Sequence, residues 1–169
     1  KKMDIVVNDT NIFIDLYSID LLADFFELPF HIHTVDFVLS EITEQNQVEA
    51  WAPFLSNGKL FVKKHSAPEV QQLYEFHLSC KGNVSIPDCA VWQYAQTNNY
   101  ILLTSDRKLR NNAIATGVSV SGILFVFDKL IECNILSAKE AANKLENLAR
   151  INNRLPKKEV SERILRWRK

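Results

Sequence analysis

Apolar and polar residues come in short blocks along the chain, and the blocks change period. Ile5–Val7 is a run of β-branched residues, the pattern of a strand covered on both faces. It breaks at Asn8, Asp9, Thr10 and Asn11, after which an apolar-rich helix is predicted from Ile12 to Phe26. Ile32–Val35 reads as a second strand, and Val38, Leu39 and Ile42 give the next helix its apolar face. A third strand at Leu60–Val62 precedes a helix from Glu69 to Leu78. Pro87 to Ala95 is a helix with Val91, Tyr94 and Ala95 at helical spacing. Ile101–Leu103 is a strand, Leu109 to Ala115 a helix and Val118–Val120 a strand. Strands alternating with helices predict an α/β fold of three layers, α/β/α, around a central parallel sheet.

The end of the chain reads as helix alone. Ser137 and Glu140 make an S-x-x-E capping box ahead of Ala141, Leu145 and Leu148. Pro156 sits where a first helical turn tolerates proline. Val160, Ile164 and Trp167 then form one stripe of a basic amphipathic helix. The expected organisation is a single domain over 1–169, with 137–169 as a C-terminal helical extension.

Composition excludes some classes. With 169 residues, 47% hydrophobic and 24% charged, the chain is ordinary for a globular domain with a real core. No apolar run approaches the roughly 18 residues of a membrane span. No basic segment is followed by a leader-like apolar one. Cys80, Cys89 and Cys133 form no CxxC pair and leave an odd count, which favours free thiols in a reducing compartment. The expectation is a cytoplasmic protein without membrane contact. Only four glycines occur, and neither GxGxxG nor GxxxxGK[ST] is present, so dinucleotide and P-loop readings fail. His31 and His33 alternate on a strand without further close ligands, a weak zinc signal. Trp51, Trp92 and Trp167 read as core or interface anchors.

Net charge is zero but unevenly spread. Residues 1–50 carry ten acids against two lysines, net −8; residues 154–169 carry seven Lys/Arg against two Glu, net +5. This describes an acidic centre with basic patches outside it, or a solvated surface with a basic tail.

Four acids stand at element ends. Asp9 follows the strand "IVVN", Asp106 follows "ILLTS", and Asp88 lies in the first turn of the helix begun by "SIPD". Glu41 in "TVDFVLSEI" borders the buried face of its helix. In an open α/β sheet, ligands bind beyond the carboxyl ends of the strands. Each acid also has a structural explanation: Asp9 and Asp106 as helix N-caps, Asp88 in a box with Ser85, Glu41 as a solvated helix residue. Gathered at one site they repel, by about 4 kcal/mol for a pair about 4 Å apart at an effective dielectric of 20. A hard divalent cation offsets such repulsion.

The segments "DTNIFIDL", "VLSEI", "IPDCAVWQYA" and "LLTSDRKL" resemble, in order, the four acidic signatures of PIN-domain nucleases. "GVSVSGILFVFDKL" resembles the family's following strand and helix, and the helical tail is similar to a subgroup of bacterial VapC-like toxin ribonucleases. The resemblance implies a PIN-like fold and a metal-dependent endoribonuclease, with Asp9, Glu41, Asp88 and Asp106 as metal-binding, catalytic acids for Mg²⁺ or Mn²⁺. Asn11 and Ser105 would be polar neighbours in the site. Arg107, Lys108 and Arg110 would hold flanking phosphates of the RNA substrate, or else form a solvated helix face. An antitoxin protein and a homodimeric partner are implied as well. The alternatives are a housekeeping RNA-processing nuclease and a non-catalytic PIN-like interaction module. Three positions depart from the family pattern: Asn8 for an apolar residue, Ser105 for glycine, and Cys89 for alanine after Asp88.

Overall fold

The computed structural model describes residues 3–80 and 84–169. Its centre is a sheet of five parallel strands: β1 (Ile5–Asn8), β2 (His31–Val35), β3 (Leu60–Lys63), β4 (Ile101–Leu103) and β5 (Val120–Ser121). They lie in the order β3-β2-β1-β4-β5. β1 is therefore central, with Val7 opposite His33 on one side and Leu102 on the other. Val6 and Val7 are both fully buried although their side chains point to opposite faces. Both faces of the sheet are covered, which is why the strand reads as a continuous apolar run.

On one face α5 (Ala67–Ser79) packs on α6 (Ile86–Asn98), and α6 lies across β1, β2 and β4 and against α7 (Arg107–Ala115). Pro68 and the Ser66–Glu69 capping box start α5, and Ser85 caps α6. His33 faces this layer and hydrogen-bonds the Tyr94 hydroxyl through Nδ1 at 2.8 Å. The other face carries α1 (Thr10–Ser18), α2 (Leu22–Phe25), α4 (Gln45–Ser56) and α8 (Ile123–Glu132), with α3 (Asp36–Glu41) touching both α1 and α6. The fold is the three-layer α/β/α architecture that the alternation of elements predicts.

Three local expectations change. The helix read from Ile12 to Phe26 is two helices, because Asp20 turns into the left-handed region (φ 56°) between them. Apolar residues continue through the break, since Ile19 and Leu21 are still buried. The last strand begins two residues later than Val118. α4 has no counterpart in the sequence reading: none of its residues is fully buried and Pro53 lies inside it, so no apolar stripe announces it.

α9 (Ala138–Ile151) and α10 (Lys157–Trp167) fold back as an antiparallel pair on the α8 side. Ser137 caps α9 by accepting from the Glu140 amide, and Pro156 stands at the N-cap of α10, one residue earlier than a first-turn proline. Val160 and Trp167 are buried, with the Trp167 ring 6.1 Å from that of Phe127. Arg163 makes a two-pronged ion pair with Asp128, at 3.0 and 2.9 Å. The pair is also tied to α1: Lys144 Nζ donates to the Ile19 carbonyl at 2.8 Å, and Asn152 Nδ2 donates to both carboxylate oxygens of the buried Asp15.

Candidate functional site

The carboxyl ends of β1 and β4 are adjacent, and each leads directly into a helix capped by an aspartate. Asp9 Oδ1 accepts from the Ile12 amide at 3.0 Å and starts α1. Asp106 Oδ1 accepts from the Leu109 amide at 2.8 Å and starts α7. The Asp9 amide donates to the Leu103 carbonyl, locking the two strand ends together. Thr104 sits between the acids. Its hydroxyl donates to Asp9 Oδ2 and accepts from the Asp106 amide at 3.1 Å. Sequence reasoning passed over Thr104, because a threonine at the end of an apolar strand reads as a β-branched filler. The signal was a hydroxyl two residues before an acid.

Asp88 occupies the third position of α6, where its amide donates to Ser85 Oγ at 3.2 Å. Glu41, the last residue of α3, is exposed and accepts from Thr10 Oγ1 at 2.6 Å. Thr10 is the second hydroxyl that ties an acid to the β1–α1 junction.

Electrostatics link the four. Asp9 is only 2% exposed, and burial pushes its carboxyl up to about 7 against the hydrogen bonds from Thr104 and Ile12, with the charges of Asp88 and Asp106 adding to the rise. Asp88 is also raised, chiefly by burial, then by Asp106, with Glu41 contributing. Both acids resist carrying charge because they lack water and face other carboxylates.

Among the described residues, no three His, Cys, Asp or Glu side chains stand close enough to bind one metal ion together. The donor set nonetheless suits a hydrated hard cation. It offers only carboxylate and hydroxyl oxygens, two of its acids are held above their ordinary pKa, and Mg²⁺ is commonly bound by one or two carboxylates with waters completing its shell.

The remaining predicted residues are less gathered. Asn11 is exposed on the first turn of α1. Ser105 is exposed, and its Oγ accepts from the Ile123 amide at 3.4 Å, so it holds the start of α8 and has no bond to the acids. A side chain on Gly122 would crowd this junction, since its Cβ would meet the Thr104 carbonyl at 3.4 Å and Ser105 Oγ at 3.6 Å. Arg107, Lys108 and Arg110 are exposed on the first turns of α7 and make no ion pair among the described residues. Asn8 is fully buried with neither its amide nitrogen nor its amide oxygen hydrogen-bonded among the described residues, although its backbone carbonyl accepts from Thr34 Oγ1.

The sheet is parallel, and Asp9 and Asp106 follow the carboxyl ends of neighbouring strands, the edge at which open α/β folds bind ligands. A PIN-domain family model matches residues 5–169, and the chain belongs to that family, whose members are generally nucleases. No curated protein matches the chain. Among solved structures, a PilT N-terminus domain protein from the archaeon Sulfolobus solfataricus P2 is similar at 15% identity, over 76% of this chain and 94% of that one, with a TM-score of 0.46. VapBC2 from Rickettsia felis, solved bound to a DNA fragment from its promoter, is similar at 19% identity over 70% and 98%, with a TM-score of 0.47. A domain from Methanocaldococcus jannaschii is similar at 22% identity over 70% and 90%, also with a TM-score of 0.47. Among the described residues no helix is long and apolar enough to cross a membrane.

Proposed function

We propose that this PIN-domain chain is an Mg²⁺- or Mn²⁺-dependent endoribonuclease, the toxin half of a toxin–antitoxin pair. The observation that carries the nuclease reading is the burial of Asp9 at the tip of the central strand, with Asp88 and Asp106 in its field. Such an arrangement destabilises the free protein and is relieved by a cation. The toxin setting and the antitoxin partner rest on the sequence resemblance of the motifs and the helical tail.

By the sequence resemblance Asp9, Asp88 and Asp106 would surround the cation, one or two of them as direct ligands and the rest through its bound waters, with Glu41 at the border. When bound, the metal lowers the pKa of a coordinated water and offsets charge on the phosphoryl oxygens. The chain's own residues do the rest. Thr104 fixes the Asp9 carboxylate and the Asp106 backbone relative to each other. Thr10 holds Glu41 against the start of α1. Asn11 and Ser105 border the site as polar neighbours, and Arg107, Lys108 and Arg110 are available for phosphates beside the scissile bond.

The test is a cleavage assay on structured and unstructured RNAs with EDTA, Mg²⁺ or Mn²⁺, for the wild type and Asp106→Asn. Metal-dependent internal cleavage lost in the variant supports the reading. Equal cleavage in EDTA, or full activity of Asp106→Asn, overturns it. A wild type that binds Mn²⁺ but cuts no RNA would favour the non-catalytic interaction module.

A further inference from the structure

The basic C-terminal segment has two kinds of cation. Arg163 and Arg168 are engaged in ion pairs, with Asp128 and Glu146, and fasten α10 to α8 and α9. Arg154, Lys157 and Lys158 are exposed and make no ion pair among the described residues. They cluster at the turn between α9 and α10 and at the first residues of α10, while Arg166 and Lys169, also exposed and without an ion pair among the described residues, lie at the far end of α10.

The position of that turn is fixed by the hydrogen bonds of Asn152. Asn152, which ends α9, donates to Asp15 of α1, and its own Oδ1 accepts from the Arg154 amide at 3.0 Å. Asp15 lies six residues beyond Asp9 on a helix that begins at Asp9, about 9 Å along the axis at 1.5 Å per residue. The turn therefore stands beside the helix that starts at the acid cluster. Ile151, 62% exposed, adds an apolar surface next to Arg154. Glu159 is the nearest acid in sequence and leaves a net charge of +2 over 154–159.

Resting on the nuclease reading above, we propose that Arg154, Lys157 and Lys158 form a phosphate-binding shelf that holds a single RNA strand several nucleotides from the scissile bond. Charge complementarity selects the occupant. A strand crossing the acidic site is repelled there, and three free cations on one side supply attraction outside it. The shelf reads no sequence; it fixes the path of the backbone.

The test measures binding and cleavage separately. Fluorescence anisotropy with an unstructured RNA of about 20 nucleotides, in metal-free buffer over a range of salt, gives affinity and its salt dependence without cleavage. The combined variant Arg154→Ala/Lys157→Ala/Lys158→Ala should bind at least about tenfold more weakly, and its slope of log K against log salt should flatten by about 2, at about 0.7 per phosphate contact. Arg154→Lys/Lys157→Arg/Lys158→Arg should restore both. Lys59→Ala/Lys139→Ala, which removes two exposed cations elsewhere, should leave both unchanged. With metal, KM for the long RNA should rise in the triple-alanine variant, while cleavage of a trinucleotide too short to reach the shelf stays the same. If the wild type cuts RNA and the triple-alanine variant binds with unaltered affinity and slope, the shelf is refuted and the nuclease reading stands. A wild type that neither binds nor cuts RNA overturns both. If the same substitutions weaken binding of polyglutamate as strongly as that of RNA, the surface is a protein contact and the proposal fails.

Discussion

Replacing Asp9 by asparagine removes a charge without changing shape, and the structure gives the size of the effect. The folded carboxyl is raised from 3.8 to about 7, which at 1.36 kcal/mol per unit amounts to roughly 4 kcal/mol. The sign follows from proton counting. Between these values the folded state holds a proton that the unfolded state has released. Metal-free stability therefore falls as pH rises from about 4 to about 7 and levels off above. Asp9→Asn keeps the helix cap, since asparagine caps as well as aspartate. Near pH 4 variant and wild type should be equally stable in EDTA; by pH 8 the variant should be more stable, by up to about 4 kcal/mol. The slope that remains in the variant includes the contributions of Asp15, raised to about 6 by burial, and of Asp88 and Asp24, both raised chiefly by burial. Urea unfolding at several pH values, with EDTA and with Mn²⁺, measures this directly. Mn²⁺ should stabilise the wild type at pH 8 and leave the variant nearly untouched. Parallel stability–pH curves for the two proteins, or a variant that is weaker at pH 8, would show that Asp9 is merely a cap and refute the reasoning.

Other positions separate structural from chemical roles. Thr104→Val removes the hydroxyl shared by Asp9 and Asp106; unfolding should show a loss of about 1–3 kcal/mol, with the Asp9-dependent fall in stability moved to higher pH. Asn8→Leu replaces an unpaired buried amide by an apolar side chain of similar volume and should raise the melting temperature; a clear drop would show that the amide has a partner in solution. Trp167→Ala should cost about 3–5 kcal/mol in denaturant unfolding through the lost packing on Phe127, and truncation at Asn153 should lower stability or solubility further; an unchanged melt would mean that α10 contributes nothing.

Much of this architecture is legible in the chain because a parallel sheet covered on both faces writes itself as short β-branched runs. Ile101–Leu103 appears at its predicted limits, and the other strands are displaced by one or two residues at their ends. Asp9, Asp88 and Asp106 stand out because a carboxylate directly after a core strand, or in a helix's first turn, is a local pattern. What is not local is harder to read. α4 hides because it packs shallowly, and the break at Asp20 hides because apolar residues run through it. Thr104 escapes for a related reason. Its importance comes from Asp9, 95 residues away, and no spacing rule connects them. The helical tail was legible as a stripe, but only the fold shows Val160 and Trp167 turned inward onto the domain.

The central place of β1 sets the order in which a site can exist. Asp9 is made 95 residues before Thr104, the neighbour that fixes its carboxylate, which belongs to the segment after β4. A chain cut short before that segment carries Asp9, Glu41 and Asp88, but has only β2 and β3 to build a sheet with β1. Closing so long a loop is entropically costly and comes late in folding. An unfinished chain thus holds most of the acids in a form without a site, and whatever activity the acids support begins only once β4 has docked beside the first strand.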